Sequence, residues 1–221
     1  FRSGQALALD SAGRPHIVSA QVYSVSSTYN SYLVHNYFDG TAWQSEHIKD
    51  ASNNRYSEPS LAIDGKDALH VAWVSYYDGA LNYATKSGGK WTSGVALTNG
   101  SCCDTAYVAL NSAGLPAIAF EAKGGTYAVA EKPLGTWSSS TLHADVSVVG
   151  NLGYGPSGRF HYLLRSDAGL LLHGAPQTMN WKEGVVSAEA ERFMMVVDGS
   201  ERAHVIMATK TALRYARRDK E

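Results

Sequence analysis

The stretch LALDSAGRPHIV, residues 7–18, decides the fold of this 221-residue chain because it recurs. It returns as LAIDGKDALHVA from residue 61, VALNSAGLPAIA from 108, NLGYGPSGRFHYL from 151 and MVVDGSERAHVI from 195. The aligned positions are His16, His70, Ala117, His161 and His204, which gives periods of 54, 47, 44 and 43 residues. Self-similarity at this period is typical of propellers and solenoids. The chain is therefore read as five copies of one unit.

Each unit reads as four short strands separated by turns, for example SLAID, HVAWVSY, LNYATK and WTSGVAL in the second unit. Alternation with β-branched and aromatic residues favours strands, and Asp-Gly or Ser-Ala-Gly after the first strand favours tight hairpins. Tryptophan precedes the last strand of four units, at Trp43, Trp91, Trp137 and Trp181. We predict an all-β fold, a single β-propeller domain over residues 1–221 with blades at 1–50, 51–98, 99–143, 144–187 and 188–221.

The fifth unit stops after its third strand, at residues 213–217. Either the ring closes with one three-stranded blade, or a further N-terminal segment supplies the outer strand. We predict a ring of five four-stranded blades with an incomplete last blade, in preference to part of a larger propeller.

The composition and the motifs that are missing from the sequence exclude several classes of partner and cofactor. A net charge of −1 lacks the basic excess of a nucleic-acid binder. No apolar run approaches the roughly 20 residues of a membrane span, so we expect no membrane insertion. Phosphate-cradling glycine loops, GxSxG and HExxH motifs are absent from the sequence, and we predict no cofactor and no metal. We expect a monomer. The chain starts at Phe1, which fits a processed mature protein or an excised segment, and we expect a secreted or periplasmic location.

The D-x-x-G…HI and G-x-x-W patterns, as in DGTAW at residues 39–43, resemble the blades of sialidase-like propellers. In that superfamily an Asp-box (BNR) repeat, S-x-D-x-G-x-x-W, closes the turn between the third and fourth strands. The resemblance implies a propeller architecture rather than a particular reaction. It also implies a role for Arg2, since FRSG at residues 1–4 is similar to the F-R-I-P motif that carries the family's first carboxylate-binding arginine.

In a propeller, the loop entering a blade and the loop between its second and third strands surround one mouth of the channel, the usual ligand face. The entering loops here, SEHIKDASNNRYSEPS, TNGSCCDTAY, HADVSVVGN and SAEAERF, differ strongly. A multivalent lectin needs the same residues in every blade. The divergence therefore favours one asymmetric site.

The candidate residues fall on those loops. We predict catalytic roles, as general acids or bases with shifted pKa values, for Tyr56, Glu58, Asp104 and Tyr107. Arginine forks bind carboxylates, and aromatic rings stack on sugars and cations. On these grounds we predict that the substrate contacts Arg2, Arg55, Arg165, Arg192, Tyr76, Tyr77, Cys102 and Cys103. The alternative for each residue is structural, with tyrosines packing between blades and carboxylates capping loops.

The cysteine pair and the repeated histidines each allow more than one interpretation. Cys102 and Cys103 are the only cysteines; they form a vicinal disulfide that stiffens the loop, stay as buried thiols, or hold a soft metal, and we favour the disulfide. The repeated histidines His16, His70, His161 and His204 begin the second strand, away from the ligand face. We expect each to bond a backbone carbonyl of its turn rather than a metal.

Three functions remain open. The leading hypothesis is a carbohydrate-active propeller, a polysaccharide lyase or glycosidase, whose partner is a glycan. The second is a non-catalytic glycan-binding lectin or adhesin module. The third is a protein-interaction scaffold, because propellers host all three.

Overall fold

The computed structural model describes residues 4–25, 28–51, 54–57, 59–98, 105–132, 135–175, 182–187 and 190–218. All the regular secondary structure in this part of the chain is β. The strands are β1 (Gln5–Leu9), β2 (Pro15–Val25), β3 (Thr28–Phe38), β4 (Trp43–Ala51), β5 (Ser60–Ile63), β6 (Leu69–Ser75), β7 (Ala80–Ser87), β8 (Lys90–Leu97), β9 (Ala106–Leu110), β10 (Pro116–Ala122), β11 (Thr126–Glu131), β12 (Ser138–His143), β13 (Val146–Tyr154), β14 (Phe160–Ser166), β15 (Leu171–Ala175), β16 (Lys182–Ser187), β17 (Arg192–Val197), β18 (Ala203–Ala208) and β19 (Leu213–Arg218).

The strands form five antiparallel sheets, each with its strands in chain order. The first four sheets have four strands, β1–β4, β5–β8, β9–β12 and β13–β16, and the fifth has three, β17–β19. The all-β prediction is confirmed. No helix in the described ranges has the length and apolarity to cross a membrane.

In four of the five units, an Asp or Asn side chain closes the hairpin between the first two strands, and the fourth unit has Gly155 at this position. The Asp10 Oδ1 atom accepts bonds from the backbone N–H groups of Ala12 (3.0 Å) and Arg14 (2.8 Å). Asp64, Asn111 and Asp198 bond their own turns in the same way. Such side chains mimic a backbone turn, which explains the recurring Asp or Asn.

The left-handed residue of this hairpin falls at one repeat position, occupied by Gly13, Asp67, Gly114, Gly158 and Glu201, all with φ between 61° and 79°. In the two units with Asp-Gly turns, the position falls two residues after Gly65 and Gly199, on Asp67 and Glu201. Asp67 and Glu201 have a compensating role. Asp67 accepts bonds from the N–H (2.7 Å) and Oγ (2.6 Å) of Ser11, and Glu201 accepts the bond from Ser157 Oγ (2.6 Å). Each acidic residue thus ties its hairpin to that of the preceding unit.

Consecutive sheets pack face to face, and their innermost strands β1, β5, β9, β13 and β17 contact one another in that order. Each interface has its own apolar cluster: Trp73 anchors the one between the first and second sheets, Phe120 the next, Tyr162 the third and Met195 the fourth. Burying large apolar side chains drives this packing.

Polar side chains also join the innermost strands. The Oγ atom of Ser60 in β5 accepts the bond from Val108 N in β9 (2.8 Å). The Asn151 amide in β13 donates to Met195 O (2.6 Å) and accepts from Met195 N (2.8 Å) in β17. Side chains thus satisfy backbone groups that have no neighbouring strand to pair with, as buried polar groups require.

One element differs from the prediction. The segment HADVSVVGN, residues 143–151, was expected to be a loop, but most of it lies in β13, which starts at Val146. The register of β13 on β14 shifts between Val146 and Val148 and again between Val149 and Leu152. Such bulges place extra residues in a strand without breaking the sheet. The extra residues interrupt the alternation of apolar and polar residues by which a strand is recognised, so this part of β13 was not predicted from the sequence.

Candidate functional site

The sheets define two edges. The hairpin edge carries the turns that join the first to the second and the third to the fourth strand of each sheet. The connection edge carries the turns between second and third strands and the links from sheet to sheet. It corresponds to the ligand face predicted from sequence.

A cleft of about 510 Å³ opens on the connection edge between the fourth and fifth sheets. We call it the Arg165 cleft. Its lining consists of Arg165, Gly169, Ala190, Glu191, Thr209, Lys210 and Thr211. Ligand pockets for small molecules have volumes in the range of about 300–1,000 Å³. The cleft is therefore large enough for one or two sugar rings.

Arg165, near the end of β14, is held from both sides of the cleft. Its Nη1 donates to the carbonyl of Ala190 (3.2 Å), in the link to the fifth sheet, and its Nε donates to Ser147 Oγ (3.3 Å) in β13. A guanidinium has five N–H donors in a rigid fork. These two bonds engage two of them and fix the plane of the fork.

The opposite wall comes from the fifth sheet. Glu191 is exposed, and its backbone N–H donates to Ala208 O (2.9 Å), which positions it beside the end of β18. Thr209 accepts bonds at Oγ1 from the N–H groups of Thr211 (3.4 Å) and Ala212 (3.1 Å), and this closes the turn that carries Lys210. The cleft thus presents two cations and one carboxylate, which together can bond donors and acceptors of a polyhydroxylated ligand.

The corresponding position between the first and second sheets carries aromatic residues. By the repeat spacing Ser57 matches Glu191 and Tyr76 matches Lys210, and the same backbone bond recurs, from Ser57 N to Val74 O (2.8 Å). The Cζ atom of Arg55 lies 5.2 Å from the centre of the Tyr76 ring, and Tyr76 and Tyr77 make an edge contact at 6.1 Å. Both rings are about half exposed. We call Arg55, Tyr76 and Tyr77 the Arg55 platform.

Tyr56 lies beneath this platform and not on it. It is buried, and its ring meets Trp73 edge to face at 5.7 Å. Burial, with help from Asp50 and Asp78, raises the pKa of Tyr56 to about 12. The phenol is therefore protonated at neutral pH, where it can donate a proton or a hydrogen bond but does not accept a proton as a base does.

The remaining predicted residues lie elsewhere. Tyr107 lines a second cavity, of about 540 Å³, bounded by residues of all five innermost strands, which we call the axial cavity. The axial cavity shares no lining residue with the Arg165 cleft. Arg192 is exposed at the start of β17, opposite Ala208 in the register. Arg2, Glu58, Cys102, Cys103 and Asp104 lie outside the described residues, so their roles and the vicinal disulfide stay predictions.

The structure therefore brings Arg55, Tyr56, Tyr76 and Tyr77 together, and it separates them from Arg165 and from Tyr107. The sequence analysis missed Glu191, Thr209 and Lys210. Their signal was available in the repeat, because they match Ser57, Ser75 and Tyr76, but the residue types differ and only the fold shows that the positions are equivalent.

Five described carboxyl groups have pKa values that are shifted downwards. The pKa is lowered for Asp10, Asp39, Glu46, Asp64 and Asp198. Burial opposes this, but hydrogen bonds from backbone N–H groups and from Arg, Lys or His side chains outweigh it. In Asp39 the main causes are bonds from the Ala42 and Thr41 of its own turn. These five carboxyl groups are ionised at neutral pH, whereas a catalytic acid needs a raised pKa.

The repeated histidines bond side chains on the hairpin edge, and the predicted bond to a backbone carbonyl is wrong. His204 contacts Asp198 Oδ2 (3.0 Å) and Tyr215 Oη (2.7 Å), and His70 contacts Tyr83 Oη (2.5 Å). His16 and His161 instead contact a second histidine. Within the described ranges no three His, Cys, Asp or Glu side chains are grouped to hold a metal ion.

No family model and no curated protein matches the chain in sequence. Solved structures match its fold. SapL1 lectin, in complex with α-methyl fucoside, superposes with a TM-score of 0.71 at 12% identity, over 99% of this chain and 77% of the lectin. Aleuria aurantia lectin, bound to Fucα1-6GlcNAc, gives 0.63 at 14% identity, over 97% and 91%.

A sialidase fold matches as well. NanB sialidase from Streptococcus pneumoniae gives a TM-score of 0.63 at 9% identity, over 96% of this chain and 54% of the sialidase. The chain thus spans about half the length of that enzyme. The predicted resemblance to sialidase-like propellers is confirmed at the level of architecture.

Proposed function

We propose that this protein is a glycan-binding propeller module, and that its sugars bind in the clefts between consecutive sheets on the connection edge. The observation that carries the proposal is the Arg165 guanidinium, fixed by Ala190 and Ser147 in a 510 Å³ cleft opposite Glu191. A fixed cation beside a carboxylate offers a donor fork and an acceptor, the pattern that vicinal hydroxyl groups complement.

Two further points favour binding over turnover. Tyr56, one of the residues predicted to act as a general acid or base, has its pKa raised to about 12, so it is protonated at neutral pH and does not serve as a base there. SapL1 and Aleuria aurantia lectin, two of the structural neighbours, are fucose-binding lectins. The proposed ligand class is therefore a glycan containing fucose or another small hexose.

The clefts are not identical, which refines the earlier choice between one asymmetric site and a multivalent lectin. The Arg165 cleft carries Lys210 where the Arg55 platform carries Tyr76. We propose that the two equivalent positions bind different parts of a glycan, the first by charge and the second by stacking against aromatic rings. A secreted or periplasmic location is part of the proposal.

The experiment is a glycan array followed by calorimetric titration of the best ligand. Arg165→Ala and Tyr76→Ala are compared with Lys66→Ala, an exposed cation on the hairpin edge. Because a charge-assisted hydrogen bond contributes about 1.5–3 kcal/mol, Arg165→Ala is expected to weaken Kd by roughly 10- to 150-fold, with no change in Lys66→Ala.

The same glycans are incubated with the protein and assayed for reducing ends and for absorbance at about 235 nm, where lyase products absorb. Release of either product would replace the binding module by an enzyme. Retention that Arg165→Ala and Tyr76→Ala leave unchanged would place the site away from the connection edge.

A further inference from the structure

The Arg165 cleft carries charges that the corresponding cleft between the first and second sheets lacks. By the repeat spacing, Ala20 occupies the position of Arg165. Ala20 is 2% exposed and lies in the apolar cluster that joins those two sheets. Tyr76 likewise takes the place of Lys210. An apolar side chain therefore suffices for packing two sheets at the first position, and the packing of the repeat does not require an arginine there.

In the part of the chain that the structure describes, Arg165 forms no ion pair. Both of its bonds go to uncharged oxygen atoms, the carbonyl of Ala190 and the hydroxyl of Ser147. Arg14 and Arg202, by contrast, each form an ion pair with the aspartate of their own hairpin. A guanidinium stays charged at any pH at which proteins are folded, so Arg165 presents an uncompensated positive charge to the cleft.

The lining of the cleft as a whole is positive. Arg165 and Lys210 contribute two positive charges and Glu191 one negative charge, which leaves +1 in a chain whose net charge is −1. Lys210 and Glu191 are exposed, whereas Arg165 is only partly exposed. Electrostatic attraction is stronger where water screens it less. Arg165 is therefore the group against which an anion binds.

The remaining donors of Arg165 suit a carboxylate. Ala190 and Ser147 engage two of its five N–H groups, so three are left for a ligand. A guanidinium binds the two oxygen atoms of a carboxylate through parallel N–H···O bonds, which a single hydroxyl group does not match. Gly169 and Ala190 add nothing larger than a methyl group to the lining, which leaves space for a sugar ring beside the arginine.

From these observations we infer that the Arg165 cleft selects a sugar whose ring carries a carboxylate, that is, a hexuronic acid. The inference rests on the proposed function, because it names the kind of sugar that the cleft binds. The carboxylate of the sugar accepts bonds from Arg165 and is attracted by Lys210, and hydroxyl groups of the ring donate to Glu191. The ligand thus supplies the negative charge that Arg165 lacks among its described partners.

A phosphorylated sugar fits this arrangement less well. A phosphate monoester carries about 1.5 to 2 negative charges at neutral pH. Glu191 would repel this charge more strongly than the single charge of a carboxylate. A neutral hexose can bond the same groups, but it leaves the positive charge of the lining uncompensated. The charges of the cleft therefore favour a singly charged acid.

The test is a double-mutant cycle in which one change is made in the protein and the other in the ligand. The probes are diglucuronate, digalacturonate and dimannuronate, each compared with the neutral disaccharide that has a primary alcohol in place of the carboxylate. For at least one pair, the wild type should bind the neutral sugar roughly 10- to 100-fold more weakly than the acid. In Arg165→Gln the difference should fall below about 3-fold. Calorimetric titration measures each Kd.

Two further variants separate the charge of the arginine from its geometry and its position. Arg165→Lys keeps the charge without the fork and should retain part of the preference for the acid. Lys66→Gln is the matched control, since it removes an exposed cation on the hairpin edge and should retain all of the preference. The wild type alone must show the preference, so the inference is testable even if Arg165→Gln is unstable.

The results that would overturn the inference differ from those that would overturn the proposed function. Equal affinity for acidic and neutral disaccharides, both weakened by Arg165→Gln, would remove the uronate preference and leave the glycan-binding cleft in place. A preference for the acid that Arg165→Gln leaves unchanged would place the carboxylate elsewhere. A sulfated disaccharide that binds as tightly as the uronates would make the cleft a general anion site. Failure of every glycan to bind would overturn both.

Discussion

The Nδ1 atom of His16 lies 2.9 Å from the Nε2 atom of His35, so two imidazoles bond each other directly inside the first sheet. His161 and His173 repeat this bond at 3.1 Å in the fourth sheet. The surroundings of the two pairs differ. The first pair lies between two carboxylates, Asp10 at 3.5 Å and Glu46 at 2.7 Å. The second contacts Arg218 at 3.4 Å at one end and lies 3.9 Å from Glu201 at the other.

The two histidine pairs differ in how many N–H protons their hydrogen bonds require. A neutral imidazole carries one N–H. The first pair has three contacts that each need a proton and only two N–H groups to fill them. The second pair needs only one, because Arg218 donates its own and the 3.9 Å between His161 Nε2 and Glu201 is too long for a hydrogen bond. Other groups also face the first pair. Arg14 forms an ion pair with Asp10, Lys86 forms one with Glu46, and the Tyr37 ring stacks on both imidazoles.

We therefore predict that the first pair takes up a proton at a higher pH than the second. Burial lowers the pKa of His35, but Glu46 opposes that effect, whereas for His173 burial, His161 and Arg218 all act in the same direction. An NMR titration of the imidazole Cε1–H signals would check this, with Glu46→Gln expected to lower the apparent pKa of the first pair. Equal titration of both pairs would contradict the proton count.

The second pair should make stability depend on pH. Burial, then His161 and Arg218, lowers the pKa of His173 to about 4, from an ordinary value of 6.5. The unfolded chain therefore binds the proton more readily than the folded one between these values. The contribution is fully present above about pH 6.5 and is lost as pH falls towards 4, by at most about 3 kcal/mol. Urea unfolding at pH 7.5 and 5 is expected to show this loss in the wild type, a smaller loss in His173→Asn, and an unchanged loss in the exposed control His47→Asn.

Replacing Asp67 and Glu201, the two acidic residues at positive φ, by glycine should change the stability of the protein by different amounts. Replacing either by glycine relieves backbone strain of about 1 kcal/mol. Glu201 is buried and bonds Ser157, so Glu201→Gly is expected to be destabilising by about 1–2 kcal/mol overall, because a buried hydrogen bond from a hydroxyl is lost. Asp67 is partly exposed and its bonds to Ser11 lie at the surface, so Asp67→Gly should be close to neutral. Chemical denaturation of both variants measures the difference, and a more stable Glu201→Gly would show that the tie between hairpins is not stabilising.

Gly174 makes room for a buried tyrosine. A Cβ atom at this position would overlap the ring and hydroxyl of Tyr162, which packs on Tyr127 with ring centres 5.3 Å apart. Gly174→Ala is therefore expected to cost about 1–3 kcal/mol by overpacking the core. Gly94→Ala is the matched control, since Gly94 also lies in a strand and its Cβ would meet nothing within 4 Å. Thermal unfolding of the two variants should separate them, and similar melting temperatures would argue against overpacking.

Much of the architecture followed from the sequence. The recurrence of residues 7–18 predicted repeated four-stranded units, and the structure pairs the same positions in every sheet, such as Leu7 with Ile17 and Met195 with Val205. The turn sequences after the first strands predicted tight hairpins, and the structure shows how Asp and Asn close them, because their side chains bond the backbone next to them. The bulges of β13 were missed, since their extra residues interrupt the alternation by which a strand is recognised.

The candidate site was harder to predict. The structure places Arg55, Tyr76 and Tyr77 together on the connection edge, whereas Tyr107 and Arg165, which the sequence analysis assigned to the same site, line separate cavities. The partners of Arg165 come from Ser147 in β13, 18 residues away, and from Ala190 in the link to the fifth sheet, 25 residues away. Such pairings depend on how sheets stack.

The sequence by itself determined the repeat, the strands and the hairpin turns, because these depend on residues close together in the chain. Only the tertiary structure decided which histidines meet and which tyrosine is buried. The physical reason is that burial and long-range hydrogen bonds are properties of an interface between two sheets. One unit of the sequence contains only one side of each interface.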